Sequence, residues 1–205
     1  MEIWTLVHAE RHALIDDLSL LTAAQWEVDS LSAGWSVHDV AAHLVDNALA
    51  TPFGLVKAMA KARFDFDRQN ANGVAAQRGS TPAATLDRLH AVADRTTGPP
   101  EKLAALASRL VEEIAHGEDI RRPLGLTRAY PPEAVGAAID YQLSAPDKFG
   151  GAKSIGEHVR LVATDTDFTA GQGPEVRAPA LELLMLTTGR QPREGSLDGP
   201  GVDLL

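Results

Sequence analysis

The sequence predicts a mainly α protein, a helical bundle with a small α+β tail, and three observations carry that reading. Apolar residues recur three or four apart through most of the first 146 positions. Capping and breaking residues cut that pattern into helix-sized lengths. Short strand-like segments appear only after residue 147. The 205-residue chain therefore reads as a bundle over 1–146 and a small α+β domain over 147–205.

Ile3, Val7, Leu14, Leu18 and Leu21 define a first helix over 2–21, followed by a connector over 22–34 that contains Trp26. Ser36 opens the second helix. Ser36-Val37-His38-Asp39 approximates a capping box, with Asp in the fourth position. Val37, Val40, Ala41, Leu44, Val45 and Ala48 form its stripe, which Leu55, Val56 and Met59 extend; Pro52 should kink or split it. The stretch 70–81 reads as a loop, broken by Asn72-Gly73 and Gly79. Pro82 begins a third helix that runs to Arg95 and stops in Thr96-Thr97-Gly98-Pro99-Pro100. Leu103, Leu106, Ala107, Leu110, Val111, Ile114 and Ile120 line one side of a fourth helix, which Pro123 and Gly125 end. Pro131-Pro132 starts a weaker helical stretch to Leu143. In the tail, 158–164 and 175–178 read as short strands around a turn-rich 165–174, and Pro179 to Thr188 as a short apolar helix.

Composition narrows the function. Lys and Arg number 19 against 28 Asp and Glu, a net charge of −9 with no basic patch, which argues against nucleic acid as a partner. Cysteine is absent, so disulfides, zinc fingers, iron–sulfur clusters and a cysteine nucleophile are excluded together. The amino terminus lacks the basic and apolar regions of a signal peptide, and no stretch approaches the roughly 18 apolar residues of a membrane span. The expectation is a soluble cytoplasmic protein with no membrane partner.

Chemistry points to the seven histidines. His8 and His12, and Glu112 and His116, stand four apart on helices, so each pair shares a face. At roughly 100° per residue, Glu112 and His116 fall opposite the stripe centred on Leu110 and Ile114, whereas Glu113 lies nearer the apolar flank. His43, flanked by Asp39 and Asn47, also falls off its helix's stripe. His43, Glu112 and His116 thus line a polar side, either plain solvent or a metal site. Nothing near His8 and His12 completes a third ligand, and they read as surface residues.

Longer segments carry a resemblance. Gln25-Trp26, Gly34-Trp35-Ser36-Val37 through Ala42-His43-Leu44, and Asp65-Phe66-Asp67-Arg68-Gln69-Asn70 come first. Glu112 follows, with His116-Gly117-Glu118-Asp119-Ile120-Arg121-Arg122-Pro123-Leu124-Gly125, and then Gly173-Pro174-Glu175-Val176-Arg177 through Thr188-Gly189-Arg190. Together they resemble the mycothiol-dependent maleylpyruvate isomerase family of the DinB-like metalloenzymes. The resemblance implies a DinB-like four-helix bundle that binds one divalent metal, zinc by default, through His43, Glu112 and His116. It also implies mycothiol as cofactor or co-substrate, an electrophilic small-molecule substrate, and isomerase or S-transferase activity.

Three protein donors leave open positions on a zinc ion, as catalytic sites do. A thiol coordinated there loses its proton, so a cysteine-free chain can run thiol chemistry on a borrowed sulfur. The family's functional C-terminal arginine matches Arg190 best, with Arg177 and Arg193 as rivals; a guanidinium suits a substrate carboxylate. Asp39 either supports the His43 imidazole or caps its helix. Trp35 walls the pocket or joins the core. Asp119, Arg121 and Arg122 read as an ion network at a helix end. Two other readings stay open: a non-catalytic metal- or ligand-binding protein, and a metal-dependent hydrolase. Monomer and homodimer are both compatible with the sequence.

Overall fold

The computed structural model describes residues 2–98 and 104–205; Pro99, Pro100 and Leu103 of the sequence reading lie outside them. The chain divides into two compact units, Met1–Thr127 and Arg128–Leu205. The division expected at 146/147 thus falls inside the second unit, because the helix Pro132–Ser144 packs with the carboxy-terminal elements.

The first unit contains α1 (Ile3–Ser19), α2 (Ala23–Trp26), α3 (Val37–Leu49), α4 (Pro52–Lys61), α5 (Phe66–Gln77), α6 (Pro82–Val92) and α7 (Ser108–Arg121). Helices α1, α7, α3 and α6 pack in a closed ring, the four-helix bundle of the DinB-like fold. Leu14, Leu18, Val40, Leu44, Leu89 and Ile120 meet in its core, joined by Trp26 of the short α2. Ser36 caps α3 as its sequence promised: its hydroxyl accepts from the Asp39 N–H while the Asp39 carboxylate accepts from the Ser36 N–H. Pro52 does split the second helical segment, opening α4 behind the Thr51 cap.

The stretch expected as a loop, 70–81, is a helix as far as Gln77. Gly73 explains the difference. It is buried where α5 crosses α3, and a Cβ there would run into the Asp46 carboxylate. The glycine therefore serves close helix packing rather than a turn.

In the second unit, α8 (Pro132–Ser144) packs against α10 (Ala180–Thr187), with α9 (Lys153–His158) beside α8. Strands β1 (Arg160–Ala163), β2 (Thr169–Gly171) and β3 (Glu175–Ala178) form a sheet in the order β2-β1-β3. β1 runs antiparallel to β2 and parallel to β3, with Leu161 opposite Ala170 and Val176. β2 and α9 were not legible in the sequence. β2 has three residues, inside the turn-rich segment, and is a strand only by virtue of its pairing.

Candidate metal centre

Helix α3 presents His43, and α7 presents Glu112 and His116. The hydrophobic spacing of each helix turns Leu44 and Ile114 into the core and leaves these three on one polar wall. One ligand atom from each residue lies within 4.8 Å of the other two. Glu112 Oε2 is 3.7 Å from His43 Nε2 and 3.5 Å from His116 Nε2. Donors bonded at about 2.0–2.1 Å in a tetrahedron stand about 3.3 Å apart, so these two spacings are close to those that one metal ion would impose. The two rings meet edge to face, with centroids 4.8 Å apart.

Neighbouring groups orient the donors. His116 Nδ1–H donates to Asp119 Oδ2 at 2.9 Å, which turns Nε2 toward Glu112. The Ser32 hydroxyl donates to that same Asp119 oxygen at 2.8 Å. Asn47 Nδ2 donates to Glu112 Oε2 at 2.6 Å and to His43 Nε2 at 3.1 Å. An amide N–H can only donate, so His43 Nε2 presents a lone pair toward the cluster, the form in which imidazole binds a metal. His43 Nδ1 is buried without a hydrogen-bond partner among the described residues, so no other contact of that nitrogen turns the ring away.

The electrostatics follow from this crowding. Burial pushes the Glu112 carboxyl upward, but the His116 and His43 imidazoles beside it prevail and hold it well below the usual range. Burial pulls His116 downward, yet the Asp119 and Glu112 carboxylates raise it to about 9. Glu113 behaves differently. It turns to the buried side and pairs with Arg11 Nε at 2.7 Å, in a contact with both side chains almost fully enclosed. Burial raises its carboxyl despite that partner.

Two members of the triad, His43 and His116, line a cavity of about 370 Å³ together with Ser32, Ala33, Trp35, Asp67 and Asn70. Trp35 lies against the His43 ring, centroids 5.0 Å apart, so it is a pocket wall that also touches the bundle core. Asp39 does not support His43. Its carboxylate caps α3 and binds Arg78 Nη1 at 2.5 Å. Arg121 pairs with Asp17 and Arg122 with Glu118, as a helix-end network would, while Asp119 reaches His116. The sequence reading gave Asp119 to a helix-end ion network and gave Asn47 no role beyond flanking His43; the structure puts both against the triad. Their signals were helical spacings, Asp119 three residues after His116 and Asn47 four after His43.

His8 and His12 are surface residues, stacked on Trp4 and bonded to Asp94 respectively. Arg190 belongs to the second unit, where its Nη1 donates to the Thr188 carbonyl at 3.0 Å. Of its rivals, Arg177 is bound to Glu175, and Arg193 lies 3.6 Å from Glu182.

The four-helix bundle with a His–Glu–His cluster on its polar wall is a DinB-like fold. More narrowly, a family model described as the mycothiol maleylpyruvate isomerase N-terminal domain matches residues 7–109, half of the chain, and the chain belongs to that family. The crystal structure of the mycothiol-dependent maleylpyruvate isomerase is similar, with a TM-score of 0.66 and 18% identity over 97% of this chain and 91% of that one. A histidine-to-alanine mutant of the isomerase matches with a TM-score of 0.65 and 17% identity over the same shares. No curated protein matches the sequence. Among the described residues, no helix is long and apolar enough to cross a membrane.

Proposed function

We propose that this protein is a metal-dependent enzyme that uses mycothiol as cofactor or co-substrate, in an isomerase or S-transferase reaction. One observation carries the reading: a His43–Glu112–His116 cluster of metal-compatible spacing, two of whose residues, His43 and His116, line an organic-sized cavity, in a chain without cysteine. Bound there, a divalent metal supplies a Lewis acid that lowers a thiol's pKa, and mycothiol supplies a sulfur nucleophile whose reversible addition to a cis double bond frees that bond to rotate.

The chain's own residues do the rest. His43 Nε2, Glu112 Oε2 and His116 Nε2 hold the ion from one side and leave its cavity side open. Asp119 keeps the His116 proton on Nδ1, and the Asn47 amide fixes the Glu112 carboxylate. Trp35 shields His43 from water. Arg190 is the cation we assign to a carboxylate on the electrophile. The compartment we infer is the cytoplasm.

Calorimetric titration with mycothiol of metal-loaded and metal-free protein tests the reading. Binding should require the metal and weaken as pH falls, because the proton competes for sulfur. Arg190→Ala should impair an acidic electrophile more than the thiol. Equal thiol affinity with and without metal would overturn the mechanism and favour activation of water, hence hydrolysis.

A further inference from the structure

Helix α5 borders two cavities of the first unit. Asp67 and Asn70 line the one beside the triad, and Gln69 lines another, of about 170 Å³, bounded by the end of α3 and by α4. The two cavities share no lining residue. Asp46 reaches the second one from α3. Its carboxylate is half-buried and has no hydrogen-bond or ionic partner among the described residues, although Lys57 and Lys61 stand on the adjoining α4. Burial raises this carboxyl above its usual range, and the His43 imidazole offsets that only in part. Gly73 keeps room for it, because a Cβ on residue 73 would collide with Asp46 Oδ2. Helix α5 thus gives up a side chain to this carboxylate, and its hydrogen-bonded backbone offers no N–H in return.

The surroundings select a cation with an apolar arm. A carboxylate half withdrawn from water is costly, and a positive group paired with it offsets that cost. Leu49 and Ala50, at the negative end of the α3 dipole, line the same cavity, and α3 has no basic side chain in its last turn. The opening N–H groups of α4 are already used: Thr51 Oγ1 accepts from Gly54, and the Thr51 carbonyl accepts from Leu55. Gln69, also without a side-chain partner among the described residues, can turn its amide oxygen inward as a second acceptor. A primary ammonium brings three N–H donors to such acceptors. Leu49, Leu55 and Ala58 supply apolar wall, which an aliphatic chain covers and a bare inorganic ion does not. At about 30 Å³ per water-sized group, the volume holds roughly five or six such groups, an ammonium on three or four carbons.

We propose that Asp46 and Gln69, with the apolar residues around them, bind a small primary alkylammonium ion between α3, α4 and α5. The ion ties α3, which carries His43, to α5, which walls the triad's cavity, and so braces that cavity from behind. This site lies in a different cavity from the thiol chemistry above and does not depend on it.

Propylammonium is titrated calorimetrically into full-length, metal-loaded protein at neutral pH, where the amine is charged. Its neutral analogue 1-propanol, and potassium at equal ionic strength, are the comparisons. Propylammonium should bind at least tenfold more tightly than 1-propanol and raise the melting temperature, and potassium should not displace it. Asp46→Asn keeps the shape and removes the charge; it should weaken the ion at least tenfold, the scale of one charge-assisted contact. Ala58→Leu, which fills the cavity and leaves the carboxylate in place, should block the ion independently. Retained zinc content would establish that both variants are folded. Glu112→Gln, which loses the metal, should bind propylammonium as the unmodified protein does; loss of binding there would put the amine on the metal and overturn the site. So would an absence of binding by the unmodified protein, equal affinity for 1-propanol, displacement by potassium, or undiminished affinity in Asp46→Asn or Ala58→Leu.

Discussion

His116 Nδ1 and Asp119 Oδ2 are joined at 2.9 Å within one turn of α7, and the Ser32 hydroxyl reaches the same oxygen from the loop before α3. A carboxylate held from both sides fixes the imidazole ring, keeps a proton on Nδ1 and aims Nε2, the nitrogen whose proton a metal displaces. Asp119 is fully buried, so this arrangement has little freedom to relax.

Asp119→Asn should therefore weaken zinc binding by roughly 10- to 100-fold, the usual cost of removing such a partner. The bundle should stay folded. Competition against a chelator of known affinity measures the effect; an unchanged affinity would show that the His116 ring is held by other contacts.

Glu112 and Glu113 should separate cleanly. Glu112→Gln should abolish stoichiometric zinc and leave the melting temperature of the metal-free protein little lowered. Glu113→Gln should retain zinc but destabilise the fold by about 3 kcal/mol, because it leaves the Arg11 charge buried without its carboxylate. Metal content and thermal melting, measured on both variants, distinguish a ligand from a structural ion pair.

The pH dependence has a definite sign. His116 rises from 6.5 to about 9 in the metal-free fold. Its pairing with Asp119 and Glu112 therefore contributes stability that is full below pH 6.5 and lost as pH climbs through about 9. A metal must displace that proton. Zinc uptake at pH 7.5 should release about one proton, and apparent affinity should rise about tenfold per pH unit up to about pH 9. Calorimetry in buffers of different ionisation enthalpy counts the protons.

Gly73→Ala should destabilise the first unit by about 1 kcal/mol, although alanine is the better helix former. The new methyl meets the Asp46 side chain where α3 and α5 touch. Combining it with Asp46→Ala should remove the penalty and recover the helix-propensity gain. A double-mutant cycle by urea unfolding reads the coupling.

The sequence by itself determined the elements whose causes lie within a turn or two of chain. The Ser36–Asp39 box, the prolines opening α4 and α6, and the stripe that turns Ile114 inward and Glu112 outward are local facts of hydrogen bonding and helical period. They sufficed to set His43, Glu112 and His116 on polar faces, and the family resemblance then grouped them. Tertiary structure alone decided which polar groups meet. Asn47 and Glu112 are 65 residues apart, and Ser32 and Asp119 are 87 apart; no periodicity links them. Asp39 had two local roles open to it, and Arg78, arriving from beyond α5, selected the cap. Gly73 looked like a break because sequence shows the missing side chain but not the Asp46 carboxylate that requires its absence. Helical period specifies the direction in which a side chain leaves its helix, and only packing specifies what stands there to receive it.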